Sequence, residues 1–153
     1  MQNWLDEYAV SHQNPINKTI HWICIPLIYF TVMGFLWSVP LPFFHLGPVE
    51  GNLAIIVIGL VFAYYAMLSI TLSLGMLLYS TLCGYVCFRI DQSETLPALW
   101  IISLIVFVLA WIGQFYGHSV EGKKPSFLKD IQFLMIGPAW LMSFIFKKIG
   151  IKY

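Results

Sequence analysis

Acidic and basic residues divide the chain into four long uncharged stretches, Thr19 to Val49, Gly51 to Phe88, Thr95 to His118 and Ile131 to Phe146. The first three exceed the ~20 apolar residues that carry a helix across a bilayer. The first predicts a span over 19–39, with Asn17 as its N-cap and Pro40 and Pro42 ending it. As a single helix the second stretch would be about 57 Å long at ~1.5 Å per residue, nearly twice the ~30 Å of hydrocarbon, so the pattern predicts two short spans. These are 53–68 and 72–88, turning near Ser69 to Ser73. A polar loop from Arg89 to Glu94 follows, and Pro97 opens a fourth span over 97–117. The last stretch, 131–146, is short and is interrupted by Gly137-Pro138. It predicts a re-entrant or interfacial helical hairpin, with a fifth crossing as the alternative. Ahead of all this, 1–18 is an amphipathic segment with Trp4, Leu5, Tyr8 and Ala9 on one face. The expected fold is therefore all-α: one membrane-embedded helical bundle of four transmembrane helices plus a C-terminal helical segment.

The basic residues sharpen this topology. With four crossings, Lys18, Lys123, Lys124, Lys129, Lys147, Lys148 and Lys152 share one side and only Arg89 lies on the other. Cytoplasmic loops collect Lys and Arg, so both termini are expected in the cytoplasm, of a bacterial inner membrane or of the endoplasmic reticulum. Met1 to Tyr8 carries Asp6 and Glu7 and no basic residue, unlike a secretory signal. A chain that is 59% apolar and 10% charged, with a net charge of +1, is unlike a disordered protein and lacks the basic surface of a nucleic-acid binder. Cys24, Cys83 and Cys87 lie within apolar runs and read as packing residues, not as a disulfide framework or a thiolate metal site. Small residues four apart, at Gly59 and Ala63, Ser80 and Gly84, and Gly113 and Gly117, have the spacing that lets membrane helices approach closely.

Chemistry has few residues to draw on. His12 ends the amphipathic segment, His21 sits near the start of the first span, and His118 lies just past the fourth, with Glu121 three residues on. The four-crossing topology brings these to one membrane surface, a metal-ligand constellation from distant segments, while His45 falls in a Pro-rich loop on the other side and has no assigned role. The competing account is that the histidines are interfacial anchors. Asn17 orients a ligand or simply caps a helix, and Lys123 and Lys124 attract an anionic headgroup or simply follow the charge rule. Imidazole with one carboxylate suits iron, zinc or copper, and spacing does not choose among them.

The residues Trp4 to Tyr8, then His12-Gln-Asn-Pro-Ile-Asn17-Lys-Thr-Ile-His21, and later Trp111 to Ser126 with Gln114, Gly117, His118, Glu121 and Pro125, resemble two signature blocks. They are similar to those of the small membrane family that includes the Fe(II)-dependent 2-hydroxy fatty acid dioxygenase of phytosphingosine breakdown. The pattern H-x4-N-x3-H followed by Q-x2-G-H-x2-E-x3-P carries the resemblance; Ser126 stands where the family often has Ala. The resemblance implies O₂-dependent removal of one carbon from a 2-hydroxy fatty acid at the membrane, with His12, His21 and His118 holding Fe(II). It carries Glu121 over as a position of the motif, to ligate the metal, orient a histidine or act as a catalytic base, and Asn17, Gln114, Lys123 and Lys124 are candidate substrate contacts. Two other classes stay open: a non-catalytic membrane scaffold or lipid-binding protein, and a metal-dependent lipid hydrolase.

Overall fold

The computed structural model describes residues 12–122 and 127–152, with the side chains of 127–135 left aside. The amphipathic face expected over 1–11, and Lys123 and Lys124, lie outside the described residues. The elements in chain order are helix α1 (Pro15–Trp37), strands β1 (Pro40–Leu46) and β2 (Val49–Asn52), and helices α2 (Leu53–Leu68), α3 (Ile70–Asp91), α4 (Leu99–Glu121) and α5 (Phe127–Lys148). Among the described residues three helices, α1, α3 and α4, are long and apolar enough to cross a membrane; α2 is a shorter apolar helix.

The helix ends correct several expectations. Helix α1 starts four residues before the expected position, because Asn14, not Asn17, is its cap: Asn14 Oδ1 accepts from Ile16 N at 2.8 Å. Pro15 then takes the first helical position, where its missing N–H costs nothing and its fixed φ suits the helix. Asn17 is thereby placed inside the first turn. At the other boundary α4 continues to Glu121, a turn past the expected end, and stops where Gly122 takes φ 72°. His118 and Glu121 thus share a helix.

The fold is not purely helical. The segment read as a Pro-rich loop is an antiparallel hairpin in which Leu46 pairs with Val49 and His45 with Glu50. Gly47 at φ 60° and Pro48 form its two-residue turn, a position where glycine meets no steric penalty. The C-terminal hairpin expected at Gly137-Pro138 is also absent: α5 runs as one helix through Pro138. A single proline removes one backbone hydrogen bond and bends a helix without having to reverse it.

The chain divides into two compact units, one comprising 1–29 with 107–153 and the other 30–106. In the second unit α2 packs on α3, and a single residue joins them. Ser69 closes α2 by donating its N–H to Tyr65 O at 2.8 Å and opens α3 by accepting from Leu72 N at 3.2 Å through Oγ. The join therefore falls where the turn was expected. Tyr65, Leu72, Met76, Cys83 and Cys87 are buried here, and all three cysteines of the chain are buried free thiols, as their apolar context suggested. Of the small-residue pairs, a Cβ on Gly84 would press on Trp37, whereas one on Gly59 would meet open space.

In the first unit α1 meets α4 along Gly113 and Gly117. A Cβ on Gly113 would lie 2.7 Å from Cys24 Sγ, and one on Gly117 would lie 2.5 Å from Asn17 Oδ1. This pair of glycines serves the close approach that its spacing implied, and it does so beside the histidines.

Candidate metal centre

Each histidine reaches the site from a different local structure. His12 lies on a non-helical segment two residues before the Asn14 cap. His21 is on α1, two turns in, and His118 is in the last turn of α4. They are 2%, 1% and 7% exposed. Their rings stand edge-on to one another, with centroids 4.3 Å apart for His12 and His21, 5.0 Å for His21 and His118, and 5.6 Å for His12 and His118. One nitrogen from each lies within 4.8 Å of the others. His12 and His118 stand 106 positions apart in sequence, with the whole second unit between them, and the fold brings all three histidines together.

The donor set fits a divalent metal. Nδ1 of His21 is 2.9 Å from the Asn17 carbonyl oxygen. A carbonyl only accepts, so Nδ1 carries the proton and Nε2 keeps its lone pair, the arrangement by which metal-bound histidines are oriented. That Nε2 is buried and makes no hydrogen bond of standard geometry. Burying three imidazoles in mutual contact is costly unless something satisfies their lone pairs, and a shared cation does so. Among the described residues no cysteine or carboxylate joins the three histidines in this cluster.

Glu121 shares the last turn of α4 with His118, and its carboxylate bonds to another segment, at the start of α1. Oε1 accepts from Gln13 N at 2.9 Å, Oε2 accepts from Asn14 N at 2.9 Å, and Oε2 also accepts from Asn17 Nδ2 at 2.9 Å. In a capping box a carboxylate at the third helical position would accept from the cap's own N–H. Here that position is Asn17, and the carboxylate comes from α4 instead. An anion at a helix N-terminus also opposes the positive end of the helix dipole.

The other candidates separate clearly. Asn17, fully buried, has two roles: its main-chain carbonyl fixes His21 and its side chain meets Glu121. Gln114 is buried one turn before His118, and its side chain approaches the His21 ring. His45 is exposed on β1 in the second unit and is no part of the cluster. Sequence reasoning did not single out Trp140. This buried residue of α5 has its ring 5.5 Å from His12 and packs edge-on against Phe144 at 4.8 Å. No local signal distinguishes it from any other aromatic residue of an apolar helix.

Together these features define a helical protein with three helices long enough to cross a membrane and a buried three-histidine cluster able to hold a metal ion. The chain belongs to the family described as 2-hydroxy-palmitic acid dioxygenase Mpo1-like, whose model matches residues 1–149. That family is named for a dioxygenase acting on a 2-hydroxy fatty acid. Searches of curated proteins and of solved structures returned no match.

Proposed function

We propose that the protein is an Fe(II)-dependent dioxygenase that shortens 2-hydroxy fatty acids by one carbon at the cytoplasmic surface of the membrane. The observation that carries this reading is the buried cluster of His12, His21 and His118, in a chain of this family. Neutral imidazoles suit ferrous iron, and three ligands leave positions open. When bound, iron would supply O₂ activation and a charge to which a 2-hydroxy carboxylate can chelate. The protein's part is to hold and exclude. Asn17 fixes the tautomer of His21 through its carbonyl, buried Trp140 covers the ring of His12, and the close glycine contact of α1 with α4 sets the distance between His21 and His118. Gln114 supports the His21 ring, and Lys123 and Lys124 offer charge to a carboxylate headgroup.

Four crossings complete the picture, the three long helices and α2, which pairs with α3 across the Ser69 turn, with α5 lying at the cytoplasmic interface as one unbroken helix. Seven lysines then lie on the cytoplasmic side with both termini. Reporter fusions at Tyr153 and near Asp91 are expected on opposite sides, and a shared side would overturn the count.

The function is tested by supplying a 2-hydroxy fatty acid to anaerobically purified, iron-loaded protein and then admitting O₂. The expected result is the acid one carbon shorter, with O₂ consumed in step. Turnover that proceeds equally without O₂ would identify a metal-dependent hydrolase instead.

A further inference from the structure

We infer that Glu121 is a positioning residue that delivers His12 to the metal centre, acting as a latch on the backbone of the segment that carries it. The inference rests on the metal reading above and goes beyond it, because it assigns to Glu121 a task other than ligation, proton transfer or orientation of the neighbouring His118 ring.

The three ligands are not equally secured. His21 and His118 project from long helices whose mutual distance is fixed by Gly113 and Gly117. His12 lies outside any helix, so beyond the packing of its buried ring its backbone is placed by the hydrogen bonds of the segment that carries it. The two peptide N–H groups immediately after it, at Gln13 and Asn14, both end on the Glu121 carboxylate, at 2.9 Å and 2.9 Å. These contacts span 108 and 107 positions of sequence. The third donor, Asn17 Nδ2, ties the same carboxylate to the residue whose carbonyl anchors His21. Glu121 is therefore the point at which the backbone after His12, the first turn of α1 and the last turn of α4 meet. Charge-assisted bonds of this kind are roughly twice as strong as neutral ones. An amide in place of the carboxylate keeps one acceptor oxygen, and its nitrogen cannot accept from Asn14 N or Asn17 Nδ2. Loosening the latch leaves His21 and His118 in place and frees His12, turning a three-ligand site into a two-ligand one.

Such a role makes a specific coupling: Glu121 matters to the metal only while His12 is present. Cobalt(II) titration of the purified full chain, followed by its visible absorption, reads this in a cycle of Glu121→Gln, His12→Ala and the double variant. Glu121→Gln is expected to weaken cobalt binding about 10- to 100-fold, the range for supporting residues of metal sites. His12→Ala weakens it at least as much, and adding Glu121→Gln to His12→Ala brings no further loss. An equal loss in both backgrounds, or none in either, overturns the latch. A His12→Ala protein that binds cobalt like the parent overturns the metal reading itself. Hydrogen exchange gives a second test without metal, and Glu121→Asp, which keeps the charge and shortens the reach, serves it should Glu121→Gln not fold. The Gln13 and Asn14 amides are expected to exchange faster while those of mid-α4 do not change; unaltered exchange at Gln13 and Asn14 contradicts the proposal.

Discussion

The two units differ in how far along the chain their polar groups reach for partners. In the second unit they bond back onto their own neighbourhood: Ser73 Oγ donates to Ile70 O at 2.7 Å, Ser80 Oγ to Met76 O at 2.7 Å, and Asn52 caps the helix that follows it. In the first unit Ser143 also bonds locally, to Trp140 O at 2.7 Å, but the groups around the histidines find partners far along the chain. Glu121 is bonded across more than a hundred positions of sequence, and three buried imidazoles face one another. Local bonding lets an apolar helix carry hydroxyls at little cost, since no backbone group is left wanting and no partner must be brought into place. Long-range polar contacts in a buried setting are demanding, because each member is costly if its partner is missing. The second unit is one of apolar helices with locally bonded hydroxyls, and the first holds the three-histidine cluster.

The largest effect that would break this contrast comes from the histidines. His12→Ala, His21→Ala and His118→Ala are each expected to abolish activity and to lose bound iron, whereas His45→Ala keeps both; iron content and product formation on the same preparations decide it. Equal damage from His45→Ala would remove the distinction between the units.

A subtler test uses glycines of the same spacing pattern. Gly117→Ala places a methyl 2.5 Å from Asn17 Oδ1, so Asn17 must shift and the contacts it shares with Glu121 and His21 shift with it. Overpacking of this kind costs about 1–3 kcal/mol, and iron affinity should fall with stability. Gly59→Ala meets nothing within 4 Å and is expected to stabilise α2 by about 0.5–1 kcal/mol with activity unchanged. Thermal unfolding of the two variants beside iron titration shows whether the close approach at Gly117 supports the histidine cluster.

A loss smaller than that of Gly117→Ala is expected at a helix cap of the second unit. Ser69→Ala removes the cap of α3, a loss of about 0.5–2 kcal/mol, while the backbone bond to Tyr65 persists. Melting should fall and the metal content of the folded fraction should stay at the parent level. Loss of metal on this substitution would show that the scaffold and the site are not separable.

How much of this was legible follows from the kind of signal each feature leaves. Apolar runs set the helices well, and 53–68 agrees with α2 residue for residue. Helix ends depended on reading Asn14-Pro15 as cap and first position, a local signal present in the sequence but passed over for Asn17. Gly47-Pro48 between Leu46 and Val49 likewise marks a hairpin turn that an apolar, Pro-rich context concealed. The meeting of His12, His21 and His118 was readable from topology and motif spacing together, since side chains with metal-binding chemistry announce themselves. The partners of Glu121 were not readable. Two of them are backbone amides, which every residue but proline carries, so no residue type at 13 or 14 signals the contact. Trp140 was hidden for a related reason: packing against an imidazole needs only an aromatic ring in an apolar helix, and several were available.

The central claim is that the first unit gathers three histidines to hold iron. Elemental analysis of protein purified anaerobically after growth with iron tests it most directly, with His118→Ala prepared in parallel. The account predicts stoichiometric iron in the parent and none in the variant, both folded by circular dichroism. Parent protein that is folded and active on a 2-hydroxy fatty acid yet free of stoichiometric metal would contradict it.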